Sequence, residues 1–271
     1  MTVPELITRL HIPAQTITAI QNIPMPENQA ELKDSFFHKT SLFDRFAEAD
    51  PTGLTVLKLY LHWVPDTKSR YDALGIPEKY FWDSMQDLTI WCEDCITRYG
   101  TPGFREWGWV GCSLRLEIIR IGRLQYGPSR LSQDVTCCGN HFPANTPILD
   151  VHIPAGEALT PSAALASLNQ APDFYSRYFG KRFSLFHCHS WLLAPELKML
   201  LPEQSRIIQF QNLFTVYRTD NEERQAEERV FGFLSDNPND YPETTSLQKA
   251  LKHHLLCGKE ITMGAGIRTV G

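Results

Sequence analysis

The sequence predicts a helical N-terminal half followed by an α/β or α+β C-terminal half. Up to Gly100, apolar residues recur mainly at the three- and four-residue spacing of amphipathic helices. After Gly103, β-rich stretches alternate with helical ones, which indicates a sheet layered with helices. A chain of 271 residues is long enough for two ordinary domains. We therefore expect a helical N-terminal domain over residues 1–105 and a second domain over residues 106–271.

The first domain carries helix signals along most of its length. In its longest segment, Phe81, Met85 and Leu88 fall on one face. Pro77 suits the start of that helix, because its missing N–H would have no partner there. Gly100 suits its C-terminal cap. The predicted helices are residues 4–10, 14–20, 27–49, 54–61 and 77–100.

The second domain shows both periodicities. Arg120 and Arg123 alternate with apolar residues in its first strand. We expect a surface salt bridge with an acidic residue there, and the alternative is that one arginine face contacts an anion. Gly264 and Gly266 have no helix after them, so a dinucleotide-binding loop is not expected there. The predicted strands are residues 116–126, 135–138, 148–153, 183–193, 207–218 and 229–233. The predicted helices are residues 160–179, 195–201 and 245–257.

Composition excludes several classes of partner. The net charge is -5 and no run of five Lys or Arg residues occurs, so no nucleic-acid partner is expected. No apolar run approaches the ~18 residues needed to cross a bilayer, and no signal-peptide pattern occurs, so no membrane partner is expected. The seven cysteines are an odd number spread over both halves. They indicate free thiols in a reducing compartment, and therefore a cytoplasmic protein.

The stretch from His152 to Ser162 is a candidate anion site. A strand ends, Gly156 permits an unusual turn, and Thr160 followed by Pro161 is a strong helix-start signal. Such a loop points backbone N–H groups and the positive end of the helix dipole outward, which suits a pyrophosphate or a carboxylate. The alternative interpretation is an ordinary strand-to-helix connection.

The second candidate site follows Phe186. Strand alternation puts His187 and His189 on one side and Cys188 on the other. Two imidazoles beside a thiol and the hydroxyl of Ser190 make a candidate proton-transfer cluster. The equally weighted alternative is a core cysteine and a satisfied polar histidine. No metal-ligand spacing occurs here, so no metal is expected.

Three stretches together resemble a known family. They are Ile-Pro-x-Gly-x-x-Leu at residues 153–159, Cys-x-Ser-Trp-Leu-Leu-x-Pro at 188–195, and Ile-x-x-Phe-x-x-x-Phe at 207–214. With further matches over about residues 60–265, in the same order, the chain resembles bacterial GNAT-like acyltransferase-domain proteins. The resemblance implies a helical N-acyltransferase N-terminal domain and a GNAT-like, mixed-sheet C-terminal domain with an acyl-CoA cleft.

The resemblance also implies a site and an activity. Strand 149–153 would be the splayed central strand, strand 183–191 its neighbour, and the loop and helix after the first would hold the acyl-CoA pyrophosphate. An acyl group would pass from acyl-CoA, or from an acyl carrier protein, to a small-molecule amine. His187 or His189 would relay the amine proton, and Cys188 or Ser190 would protonate the leaving thiolate. The implied cofactor-binding residues are Ile153, Ala155, Gly156, Thr160 and Ser162.

One departure from the family pattern favours an alternative. GNAT phosphate loops follow Arg/Gln-x-x-Gly-x-Gly/Ala, whereas this loop contains Gly156 alone. Fewer glycines expose fewer closely spaced N–H donors. The alternative function is a non-catalytic GNAT-like module that binds a small molecule or has a regulatory role.

Overall fold

In a computed structural model the chain divides into two compact units, Met1–Arg120 and Ile121–Gly271. The structure describes residues 1–137, 139–221 and 223–270; Cys138, at the end of predicted strand 135–138, lies outside them. Across those residues, no helix is long and apolar enough to cross a membrane.

The first unit is helical, as the sequence predicts. Predicted helix 27–49 is two helices, because Lys39 takes a left-handed conformation (φ 57°) that ends the first of them. The helix predicted over residues 54–61 continues through Pro65. The helices are α1 Val3–Leu10, α2 Ala14–Gln21, α3 Gln29–His38, α4 Ser41–Glu48, α5 Leu54–Ala73, α6 Glu78–Tyr99 and α7 Trp107–Leu114.

The first unit extends past the boundary expected near residue 105 because α7 packs on α5. The hydroxyl of Tyr60 donates to the carbonyl of Trp107 at 3.0 Å. The hydroxyl of Thr67 donates to the carbonyl of Leu114 at 2.8 Å. These bonds tie both ends of α7 to the helical unit, so the compact unit ends at Arg120.

A mixed six-stranded sheet forms the second unit's framework, in the order β1-β2-β5-β6-β8-β7. Strands β5 and β6 run parallel, and the pairs β2–β5, β6–β8 and β7–β8 are antiparallel. Strands β3 and β4 form a separate hairpin. The strands are β1 Ile119–Ile121, β2 Leu124–Arg130, β3 Val135–Cys137, β4 Asn140–Phe142, β5 Pro147–His152, β6 Leu185–Ser190, β7 Thr215–Asp220 and β8 Met263–Thr269.

Helix α8 follows β5 and packs on one face of this sheet. The hydroxyl of Tyr175 donates to the carbonyl of Tyr126 in β2 at 2.7 Å. The hydroxyl of Ser167 also lies 2.9 Å from that of Tyr126. The helices of this unit are α8 Pro161–Phe179, α9 Leu197–Leu200, α10 Arg206–Gln211, α11 Gln225–Phe231 and α12 Ser246–Leu256.

Two predicted strands are wrong. Only the end of segment 207–218 is a strand, because Ile208 and Phe210 lie in helix α10, where Ile208 packs into a buried cluster with Leu197 and Leu251. This packing overrides the strand preference of an Ile-rich segment. Segment 229–233 belongs to α11 up to Phe231 and then turns at Gly232 (φ 84°). Of the acidic residues before it, Glu227 and Glu228 lie in the first turn of that helix, where the helix dipole favours negative charge.

Strand β8 was not predicted, and its glycines let it pass close to the turn after β6. A Cβ added at Gly264 would lie far inside contact distance of the Leu193 carbonyl oxygen. Gly264 pairs with Ser190, so this close approach fixes the end of β6. The Gly264–Gly266 segment is therefore a central strand in a tightly packed layer.

We expect Gly264→Ala to destabilise the second unit by roughly 1–3 kcal/mol, because the new methyl group meets backbone atoms that cannot move aside. A thermal unfolding scan measures this. Gly108→Ala in α7 is the matched control, since its added Cβ meets no atom within 4 Å. An equal melting temperature for the Gly264 variant and wild type would contradict this account.

Candidate functional site

The parallel strands β5 and β6 separate towards their C-terminal ends. Leu149 pairs with Phe186 and Asp150 pairs with His187, and the described pairing of these strands goes no further. Each strand continues beyond these pairs, to His152 and Ser190. Beyond these pairs the ends of the two strands are not paired with each other, beside the polar residues that the sequence singled out.

The loop after β5 presents unpaired amides at the start of α8. Gly156 has φ 99°, a conformation that glycine adopts without strain, and the loop around it is exposed. Thr160 caps the helix, with its hydroxyl accepting from the Ala163 amide at 3.3 Å. In the part of the chain that the structure describes, the amides of Ala155, Gly156 and Ser162 donate no hydrogen bond. Three free donors beside the positive end of a 19-residue helix suit an anion.

A buried arginine holds this loop in place. Like Arg120, which is 5% exposed, Arg123 is only 6% exposed, so the expected surface position is wrong for both. The guanidinium of Arg123 donates to the carbonyl of Pro154 at 2.9 Å and to that of Ala158 at 3.4 Å. Because these carbonyls lie on both sides of Gly156, the arginine fixes both ends of the turn. Ile153, just before this turn, is half-buried and follows β5.

Three side chains on one face of the sheet form a hydrogen-bonded chain. Nδ1 of His187 lies 2.8 Å from Oδ1 of Asp150. The hydroxyl of Tyr217 lies 3.2 Å from Nε2 of the same imidazole. An ionised carboxylate only accepts, so Nδ1 carries the hydrogen, and in the neutral imidazole Nε2 then accepts from the phenol. The Asp150–His187–Tyr217 chain is the central polar arrangement of the candidate site.

His152 extends this polar face at the end of β5. Its Nε2 lies 3.8 Å from Oδ2 of Asp150. Burial lowers the pKa of His152, and nearby His187 lowers it further, while the Asp150 carboxylate opposes the shift. His152 is therefore neutral over most of the physiological range.

The other predicted catalytic residues lie in different surroundings. His189 is on the same face as His187, and its Nε2 lies 3.1 Å from Oδ2 of Asp220. Cys188 is fully buried on the opposite face, and burial raises the pKa of its thiol. The Ser190 hydroxyl accepts from the Leu192 amide at 3.2 Å. The structure thus joins His187 to an acid and a phenol, and separates it from Cys188 and Ser190.

Asp150 and Tyr217 were missed from the sequence as functional candidates, and Arg123 was weighed only as the less favoured anion contact. Asp150 lies two residues before His152 in a strand, so its alternation with that histidine was a usable signal. Arg123 gave only a weak signal in an apolar strand. Tyr217 gave none, because a β-bulge between Val216 and Arg218 decides where it points.

Within residues 1–137, 139–221 and 223–270, no group of three His, Cys, Asp or Glu side chains is placed to hold a metal ion. The groups present in this region are the unpaired amides at the start of α8 and the imidazole of His187. The amides follow the C-terminal end of β5, and His187 lies within β6, opposite Asp150.

Two family models match the chain. One, described as "N-acyltransferase N-terminal domain", matches residues 1–116. The other, described as "GNAT-like C-terminal domain", matches residues 118–268. No curated protein matches the chain.

The chain is also similar in structure to solved acyltransferase structures. One is an acyltransferase in complex with decanoyl-CoA and teicoplanin, with a TM-score of 0.82. Others are an acyltransferase with decanoyl-CoA, at 0.80, and one with CoA and 10C-teicoplanin, at 0.79. Each is 24% identical in sequence, and the match covers 99% of this chain and 88% of the other. At this identity the likeness establishes a shared fold.

The depressed pKa of His152 predicts a pH-dependent stability. The unfolded chain binds more protons than the fold between the ordinary imidazole pKa, about 6.5, and the lower pKa of folded His152. Stability is therefore complete above that ordinary value and falls as the pH drops through the window. An NMR titration of His152 should show a midpoint below 6.5.

Asp150→Asn should lower the His152 midpoint further, because it removes the charge that favours the protonated form. Asp173→Asn, on the exposed side of α8, is the control and should leave the midpoint in place. A higher midpoint in the Asp150 variant would refute the assigned electrostatics.

Proposed function

The chain belongs to the GNAT-like C-terminal domain family, with an N-acyltransferase N-terminal domain before it, and on that premise we propose that it transfers an acyl group from acyl-CoA to an amine. The observation that carries the proposal is the loss of pairing between the ends of β5 and β6, with unpaired amides after β5 and the hydrogen-bonded His187 on β6. From it we infer a gap between the strand ends, an anion site and a histidine base. The cytoplasmic location expected from the sequence is part of this proposal.

The donor site is the loop after β5. The amides of Ala155, Gly156 and Ser162 would bind the pyrophosphate oxygens, and the pantetheine arm would enter the gap between the strands. Thr160 and Arg123 keep the loop in shape, through the helix cap and the two carbonyl contacts. Structures of the same fold contain decanoyl-CoA or CoA, which supports an acyl-CoA donor here.

The proton acceptor is His187. In the proposed step, the amine nitrogen bonds to the thioester carbonyl carbon, the amine proton passes to Nε2 of His187, and the C–S bond breaks. Asp150 holds the imidazole in the tautomer that leaves Nε2 unprotonated. His189 lacks such a chain, because its Nε2 contacts Asp220, so we assign the base to His187.

The leaving thiolate takes its proton from solvent or from Ser190. The protonated His187 then releases its proton to solvent, and a serine that has donated is reprotonated from solvent. Within the described residues, the Ser190 hydroxyl accepts from Leu192 and donates no bond, so its hydrogen is available. Cys188 is a poorer donor and a poor nucleophile, since it is fully buried. A direct transfer without an acyl-cysteine intermediate therefore fits the arrangement best.

Two features of the loop after β5 favour the alternative of a non-catalytic binding module. The loop contains a single glycine and an exposed acidic residue, Glu157, both of which weaken a phosphate site. An acyl group delivered by an acyl carrier protein would need weaker phosphate binding from that loop.

The acceptor is a small-molecule amine of unidentified structure. Teicoplanin is a natural first probe, because it occupies a structure of this fold.

Thermal stability with decanoyl-CoA tests the donor site. At about 100 times its dissociation constant, a ligand adds roughly 2.7 kcal/mol to the free energy of unfolding. Ser162→Glu should weaken binding about tenfold, because its charge repels the pyrophosphate. The same charge favours the helix dipole, so the unliganded melting temperature should not fall.

Ser246→Glu is the matched control, since it places the same charge at the exposed N-terminus of α12. Its response to decanoyl-CoA should equal that of wild type. Absence of any response in wild type would rule out free acyl-CoA as donor and favour a carrier protein or a non-catalytic module.

Replacement of the base tests catalysis. His187→Gln should lower the rate of acyl transfer by roughly 10²–10⁴-fold, the usual loss when a general base is removed. The shift in melting temperature with decanoyl-CoA should persist. The measurement is CoA release with decanoyl-CoA and a panel of amines. His189→Gln is the comparison, and an equal loss in both variants would argue against His187 as the base.

A further inference from the structure

The nitrogen of His187 that would accept a proton is already in use. Tyr217 donates its hydroxyl hydrogen to Nε2 across 3.2 Å, while Nδ1 donates to Asp150. An imidazole nitrogen has one lone pair, so it cannot accept from the phenol and from a second donor equally well. The base of the proposed reaction is thus masked before any substrate binds.

Tyr217 is suited to this role because it stays a donor at neutral pH. Burial raises the pKa of its phenol, and the nearby charge of Asp150 adds to that shift while Arg218 opposes it. The side chain is only half-buried, so an entering ligand can reach it. Its ring lies 6.2 Å from that of His187, centroid to centroid.

The backbone at this point is irregular, which explains how Tyr217 reaches the histidine. Val216 pairs with Gly266 and Arg218 pairs with Ala265, so Tyr217 is an extra residue in β7. Such a bulge re-aims side chains, and bulges are common beside active sites. The bulge puts both Tyr217 and Arg218 on the His187 face, whereas regular alternation would put these neighbours on opposite faces.

We propose, on the basis of the acyl transfer proposed above, that Tyr217 masks His187 until an amine displaces its hydroxyl, and that this protects the acyl thioester from water. Unmasked, Nε2 would take a proton from water while the water oxygen bonds to the thioester carbonyl carbon. The C–S bond would break, and the thiolate would recover the proton. The products would be a carboxylic acid and free CoA.

The first experiment measures hydrolysis without any amine. Tyr217→Phe keeps the ring and removes the hydroxyl, so it should release CoA from decanoyl-CoA at least tenfold faster than wild type. The double variant with His187→Gln should return to the wild-type rate. Tyr99→Phe, which removes an exposed hydroxyl from α6, is the control and should hydrolyse like wild type. CoA is separated by chromatography and quantified.

The second experiment needs no acyl-CoA. Diethyl pyrocarbonate is an electrophile that the free lone pair of an imidazole nitrogen attacks. Peptide mass spectrometry reports the modification of each histidine separately. Tyr217→Phe should speed the modification of His187 several-fold. His189, whose Nε2 contacts Asp220, is the internal reference and should react at an unchanged rate. If His187 is modified at the same rate in Tyr217→Phe as in wild type, and the variant has the wild-type melting temperature, the proposal that Tyr217 masks His187 is overturned.

The two experiments separate this inference from the proposed function. If decanoyl-CoA stabilises neither wild type nor the Tyr217→Phe variant, the proposed acyl-CoA function fails. The masking of His187 is then decided by its modification rate alone. If decanoyl-CoA binds both proteins but hydrolysis does not rise, protection of the thioester is refuted. Loss of amine transfer without a rise in hydrolysis would instead make the hydroxyl a proton relay, which also overturns the proposal.

Discussion

The separation of β5 from β6 is the constraint on which the rest of the candidate site depends. Parallel strands normally pair along their length, but here the described pairing ends at Asp150 and His187. The neighbours of these strands do not separate with them: β2 pairs with β5 as far as His152, and β8 pairs with β6 as far as Ser190. The inferred gap therefore lies between two strands that are each well paired on their other side.

The two chemical parts of the site are stabilised by different means. The loop after β5 depends on local capping at Thr160 and on Arg123, a buried charge whose described contacts include loop carbonyls. The base at His187 depends on residues far apart in sequence, since Asp150 and Tyr217 come from strands on either side of β6 in the sheet order.

Local signals explain which elements could be predicted. Thr160 followed by Pro161, and Gly100 after an apolar periodic segment, predicted the start of α8 and the end of α6, because caps act within a few residues. The strand predicted over 229–233 failed although the acidic first turn of α11 was visible, because an apolar run of a few residues does not distinguish strand from helix. Strand β8 was missed because glycines disfavour a strand prediction. Only the tertiary structure shows why they are needed there, since Leu193 approaches the strand closely.

The sequence by itself determined the helical first half, the β5–loop–α8 unit and the alternation that separates His187 and His189 from Cys188. These features depend on contacts within a few residues or on a period of two. Only the tertiary structure decided that Asp150 and Tyr217 meet His187, that Arg123 turns inward and that Cys188 is buried. Strand order, strand separation and the bulge in β7 arise from pairing between distant segments, and no local pattern encodes which residues such pairing brings together.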